Sequence, residues 1–204
     1  MSTLTTNHTF YTEKLPTPLR IAQILGITTT AFLSGKTFTA SFCATPALLH
    51  APAPLLAKQW KTSFTSDQCL APAITLFSTA TFGWLAYRDP TRPSSTQFRL
   101  HLIAATLLTS LIPYSFFLLE PLNRRLLKKA SDLASASLTD AEVEANVSRD
   151  DSVHALVDKW AVVNLGRTIL SGVAAIAATW AALDRLEAVP VVARVVEGAD
   201  RMGR

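Results

Sequence analysis

Four apolar runs of near-membrane length divide this 204-residue chain, at about residues 20–44, 71–87, 98–119 and 160–183. A backbone buried in hydrocarbon must satisfy its own hydrogen bonds, which leaves only helices and closed barrels. The runs lack the strict apolar–polar alternation of strands, so helices are expected. Crossing the hydrocarbon takes about 20 residues, which the second run, Ala71 to Tyr87, falls short of. Charged residues make up only 17% of the chain and gather outside the runs, against roughly 25% in soluble domains. The expected fold is all-α, an integral membrane four-helix bundle with short interfacial helices in its loops. Residues 1–19 read as a flexible polar tail, 20–184 as a single four-span domain, and 185–204 as a short C-terminal tail.

The first run, Ile21 to Ala44, is longer than the roughly 7–15 residues of a signal-peptide core. It also follows a polar tail, so it reads as a retained signal anchor. Its Thr, Ser and Gly content suits close helix packing. Prolines 46, 52 and 54 interrupt the next stretch, and "LLAKQWKTSF" after Pro54 reads as a short interfacial helix with Trp60 at the headgroups. "YRDPTRPSS" closes the second run with a turn, and Pro113 is expected to kink the third. "LNRRLLKKASDLA" reads as continuing the helix or restarting it after Pro121, which can break the third run and expose carbonyls for Asn123. "LTDAEVEANV" reads as a further short helix with Thr139 as its cap, and "VPVVARVVEGA" as a weakly amphipathic tail.

The formal charge is +4. Its Lys and Arg residues flank the apolar runs, as interfacial groups do, and no nucleic-acid partner is implied. Four spans place both termini on one side. That side carries nine Lys and Arg against eight opposite, so orientation stays open. Cys43 and Cys69 read as free thiols, although a pair at one membrane face is the alternative. No His and Cys cluster has metal-ligand spacing. "LSGKTF" lacks the first glycine and the preceding strand of a phosphate-binding loop. No G-x-S-x-G elbow, dinucleotide fingerprint or repeat appears, and transport finds no acidic relay within the spans.

Polar residues inside the runs carry the remaining information. At 100° per residue, Trp160, Asn164, Arg167 and Ser171 fall at about 0°, 40°, 340° and 20°, a single narrow stripe. A snorkelling arginine near a helix end needs no polar companion. The shared face instead suits the mouth of a pocket inside the bundle. Lys36 lies deep in the first run, where a cation must snorkel, pair or face a cavity. Tyr114 is placed either to donate a hydrogen bond to an aromatic ligand or to pack against the fourth run.

Two groups, "PLNRRL" at 121–126 and W-x-x-x-N-x-x-R at 160–167, resemble the DUF1772 family of four-span membrane proteins. Its fungal members include the anthrone oxygenases of aromatic polyketide pathways. "SFCATPAL", "LLAKQW" and "IPYSFF" agree in order and spacing, and the resemblance runs from about residue 20 to 183. It implies oxidation of an anthrone, a tricyclic phenolic ketone, to the anthraquinone. Dioxygen is the co-substrate and no metal, flavin or haem is used. Within that chemistry His101 is the leading candidate base and His50 the second. Arg167 and Lys36 are candidates to stabilise the oxyanion, with Asn164 and Tyr114 on phenol or carbonyl oxygens. Trp160 and Trp60 are candidates to stack on the rings, and Asn123 and His50 to contact substrate. The implied partners are a small apolar aromatic substrate and membrane lipid, with a homo-oligomer or pathway enzymes as further partners. The implied location is an endoplasmic-reticulum-type membrane. A bundle that binds an apolar aromatic metabolite or scaffolds other enzymes, without turnover, is the alternative.

Overall fold

Helix α1 (Thr17–Phe38) has Pro18 in its first turn, where a missing N–H breaks no helical bond. The computed structural model describes residues 16–89, 95–140 and 147–187. A widened turn, Thr39–Ala44, leads from α1 into the single-turn helix α2 (Thr45–Leu48). Helices α3 (Ala53–Asp67), α4 (Leu70–Tyr87) and α5 (Thr96–Tyr114) follow. A second widened turn, Ser115–Leu119, joins α5 to α6 (Glu120–Asp132), and α7 (Val153–Glu187) closes the fold. The described residues contain no strand. Residues 1–15 of the expected tail, 90–94 of the turn, 141–146 of the helix expected after Thr139 and the tail from 188 lie outside the described residues. Leu138 and Thr139 form a turn.

Helices α1, α4, α5 and α7 form the four-helix bundle. Its core joins Leu33, Phe82, Leu108, Leu111, Ala174 and Ala178. Small residues set the close crossings. A Cβ on Gly26 of α1 would lie 2.9 Å from Phe82 Cε1 of α4, and one on Gly172 of α7 would lie 3.1 Å from Ser34 Oγ of α1. A second core caps one end of the bundle, where Leu56 and Trp60 of α3 meet Leu122 and Leu126 of α6 and Val153 and Val157 of α7. His154 Nε2 ties α7 to Ala51 O at 3.0 Å. Trp60, expected at the headgroups, is instead 3% exposed within this cap.

Among the described residues three helical stretches are long and apolar enough to cross a membrane: Ala53–Tyr87, Thr96–Asp132 and Val153–Asp184. Helix α1 has the length but not the hydropathy. Its hydroxyls are satisfied locally, with Thr30 Oγ1 donating to Gly26 O at 2.7 Å and Thr37 Oγ1 to Leu33 O at 3.0 Å. Such back-bonding removes the cost of placing a hydroxyl against an apolar neighbour. The outer surface is as greasy as the core: Phe42, Phe116, Phe117, Ile169, Ile176 and Trp180 are each more than 60% exposed.

Both widened turns answer a proline. In each, the backbone bond spans five residues, from Thr45 N to Ala40 O and from Glu120 N to Ser115 O. Pro46 and Pro121 each sit two residues past the end of the widened segment. A proline ring clashes with the carbonyl four residues back and cannot donate to it. That carbonyl belongs to Phe42 in one case and Phe117 in the other, both inside the wide turn. Widening therefore relieves the clash without ending the helix. Pro121 does not break the third run, which continues through to Asp132.

Candidate functional site

Between the bundle core and the cap lies a cavity of about 930 Å³. Its walls are the C-terminal half of α1, the end of α3, the start of α4, both widened turns and residues 160–167 of α7. The widened turns contribute Thr39, Ala40 and Ala44 from one side and Ser115 and Leu119 from the other.

One wall is aromatic. Trp60 stacks on Phe64, with ring centroids 5.1 Å apart and planes 9° from parallel. Trp160 meets Trp60 edge-on at 6.0 Å. The Trp160 indole N–H donates to Asn123 Oδ1 at 3.0 Å, which fixes both side chains. The buried indole nitrogen of Trp60 has no hydrogen-bond partner among the described residues.

A polar face of the cavity belongs to α7, α1 and the widened turn after α1. Asn164 is 2% exposed. Its Nδ2 donates to Ser41 Oγ at 2.9 Å and to Thr37 O at 3.2 Å. Its Oδ1 accepts from Arg167 Nη1 at 3.4 Å. Thr168 Oγ1 donates to Thr37 Oγ1 at 3.0 Å, and Ser34 Oγ to Thr168 O at 3.1 Å. The stripe from Trp160 to Ser171 thus faces α1 and the cavity, not the outside. Among the described residues no carboxylate is paired with Arg167, and its Nε has no hydrogen-bond partner. Lys36 is paired across the cavity with Asp67, at the end of α3. Asp67 also lies near enough to Arg167 for the two charges to interact.

Trp60, Trp160, Asn123, Asn164, Arg167 and Lys36 are therefore brought to one cavity. Asn123 does so as the acceptor for Trp160 and not as a cap for carbonyls freed at Pro121. His101, His50 and Tyr114 are not among its lining residues. His101 is 1% exposed and stacks against Phe82 at 6.2 Å, inside the bundle core. It precedes Ser115 by fourteen residues of helix, roughly 20 Å along the axis. His50 is exposed in the turn after α2. The Tyr114 hydroxyl donates to Val163 O at 2.6 Å, locking α5 to α7. Cys43 and Cys69 are free thiols, and among the described residues no three His, Cys, Asp or Glu side chains gather to hold a metal ion.

The sequence model described as "Anthrone oxygenase" matches residues 60–177, more than half of the chain. The chain belongs to the anthrone oxygenase family. No curated protein and no solved structure matches it. The anthrone oxygenase match begins at Trp60 and runs into α7, so it takes in every cavity residue of α3, α6 and α7 named above. It leaves out α1 and the widened turn after it, which supply Lys36 and, in Thr37 and Ser41, the acceptors for Asn164 Nδ2. The match is thus shorter than the residue 20–183 resemblance.

Sequence reasoning passed over Asp67. A signal for it was present. A lysine inside an apolar run needs a counter-charge, and Asp67 is the sole acidic residue from Lys14 to Arg88.

Proposed function

We propose that this protein is a membrane-embedded oxygenase that converts a polyketide-derived anthrone to the anthraquinone with dioxygen and no metal, flavin or haem. The observation that carries this reading is the cavity, which brings Trp60, Phe64 and Trp160 together with Arg167 and Lys36, in a chain of the anthrone oxygenase family. Its volume lies within the roughly 300–1,000 Å³ of small-molecule sites. The methylene opposite the anthrone carbonyl is acidified by both flanking rings. Loss of its proton gives a delocalised, phenolate-like anion that reduces dioxygen by one electron and then combines with it. The peroxide collapses with loss of water, leaving the second carbonyl.

The protein has three tasks: to accept a proton, to hold a developing oxyanion, and to grip a flat apolar body. Trp60, Phe64 and Trp160 serve the third by offset and edge contacts. Arg167 serves the second. An unpaired guanidinium in a site of low polarity stabilises developing negative charge far better than one in water. Lys36, already paired with Asp67, supports it. An endomembrane such as the endoplasmic reticulum is the proposed location, since apolar polyketides partition into lipid.

Membranes containing the protein are expected to consume dioxygen with added anthrone faster than the spontaneous reaction, before and after chelation, and without flavin or haem absorbance. Binding of anthrone with no excess oxidation would make the protein a non-catalytic binder. Stoichiometric iron or flavin in the active preparation would overturn the cofactor-free mechanism.

A further inference from the structure

The proton acceptor for this chemistry is unassigned, because His101 lies in the bundle core and His50 in an exposed turn. We propose that Asp67 is the catalytic base, with Lys36 as the residue that positions its carboxylate. This rests on the anthrone-oxidising reading above.

Three observations lead there. Asp67 lines the cavity, at the turn where α3 gives way to α4. Its carboxylate is ion-paired with Lys36 of α1, a partner from outside its own helix. It shares the cavity, and an electrostatic interaction, with Arg167 of α7. A base from α3 and an oxyanion partner from α7 suit anthrone, whose methylene and carbonyl stand at opposite ends of the central ring. Glu120 also lines the cavity, but Arg124, on the same helix and largely exposed, holds its Oε1 at 2.8 Å.

In the proposed step an Asp67 carboxylate oxygen takes one methylene proton, and the C–H electron pair passes into the ring system as enolate, its charge on the carbonyl oxygen beside Arg167. The anion gives one electron to dioxygen. Recombination of the ring radical with superoxide forms the C–O bond, leaving a peroxide anion. Asp67 returns its proton to the terminal peroxide oxygen. Loss of the second methylene proton then breaks the O–O bond, hydroxide leaves, and proton and hydroxide make water. One anthrone and one dioxygen yield one anthraquinone and one water, and Asp67 ends as it began.

The test separates proton transfer from oxidation. Without oxygen, the full-length protein in membranes is given a dihydroxyanthrone in heavy water, and methylene exchange is followed by NMR; with oxygen, turnover is measured on the same preparation. Wild type is expected to exchange the methylene above the protein-free rate. D67N is expected to lower both exchange and turnover by about a hundredfold or more, the usual scale for losing a general base. Quenching of Trp60 and Trp160 fluorescence should show that substrate still binds. Should D67N strand Lys36 and fail to accumulate, K36M/D67N removes the orphaned cation and is assayed identically. Exchange at the wild-type rate in either variant overturns the assignment while leaving the oxygenase reading intact. So does loss of exchange in E120Q with D67N unaffected. Wild type that neither exchanges nor oxidises anthrone overturns both.

Discussion

Arg167 offers two bonding patterns that a lysine cannot copy together. Its Nη1 reaches Asn164 Oδ1 while the side chain lines the cavity, with no carboxylate paired to it among the described residues. Lysine is a point charge on a flexible stem, without the planar fork. R167K is therefore expected to accumulate normally and to turn over anthrone at least about ten times more slowly, because losing one oxyanion donor commonly costs a hundred- to thousandfold. Turnover normalised to inserted protein measures this, and a wild-type rate would make the stripe mere packing. N164A belongs to a different class. It strips a 2%-exposed amide that joins Arg167 to α1, so a loss of about 1–3 kcal/mol in stability is expected from thermal unfolding in detergent. The stripe was legible in the sequence because helical geometry alone puts Asn164 and Arg167 on one face. Asp67 was not, since its meaning depends on a lysine thirty-one positions earlier. His101 was misplaced for a related reason: pattern shows that a histidine enters a helix, but not at which end the cavity lies.

At the scale of elements, one tyrosine of α5 fits over one glycine of α7. A Cβ on Gly166 would come within 2.5 Å of Tyr114 Cζ and closer still to its hydroxyl. G166A must push the ring out and break its bond to Val163 O. The expected cost is about 1–3 kcal/mol, as for other overpacked sites. Y114F loses only the hydroxyl, and about 0.5–1.5 kcal/mol with it. Thermal unfolding of the two variants in detergent should rank G166A below Y114F, and the reverse order would show that the crossing is looser than drawn. Tyr114 was read from sequence as either ligand donor or packing residue, and packing against α7 is what its hydroxyl bond to Val163 serves. The apolar runs marked the bundle helices because hydropathy is a property of neighbours in sequence. What the two prolines do was not readable. Pro46 and Pro121 look like helix stops, yet a five-residue hydrogen bond absorbs each one. The helix goes on, and its widened turn becomes cavity wall.

For the whole molecule, the all-α four-helix bundle was legible, but the division of the interior into two cores was not. It arises where α3, α6 and the start of α7 fold back on one another, contacts set by no local pattern. Helix α7 belongs to both cores, with Val153 to Val157 in the cap and Ala174 to Ala178 in the bundle. Between them one face of α7 lines the cavity while Gly166 packs under Tyr114 on another, and the cavity face is a seam. A seam lets one part breathe while the other stays shut. Backbone amides of α3 and the first turns of α7 should therefore trade hydrogen for deuterium earlier than those near Ala178, in hydrogen-exchange mass spectrometry on protein in nanodiscs. Uniform protection along α7 would refute this. A planar guest lodged in the seam should slow exchange in the cap and leave the bundle unchanged. The protein would then admit its guest by parting two cores along a line already drawn in the fold, without loosening either one.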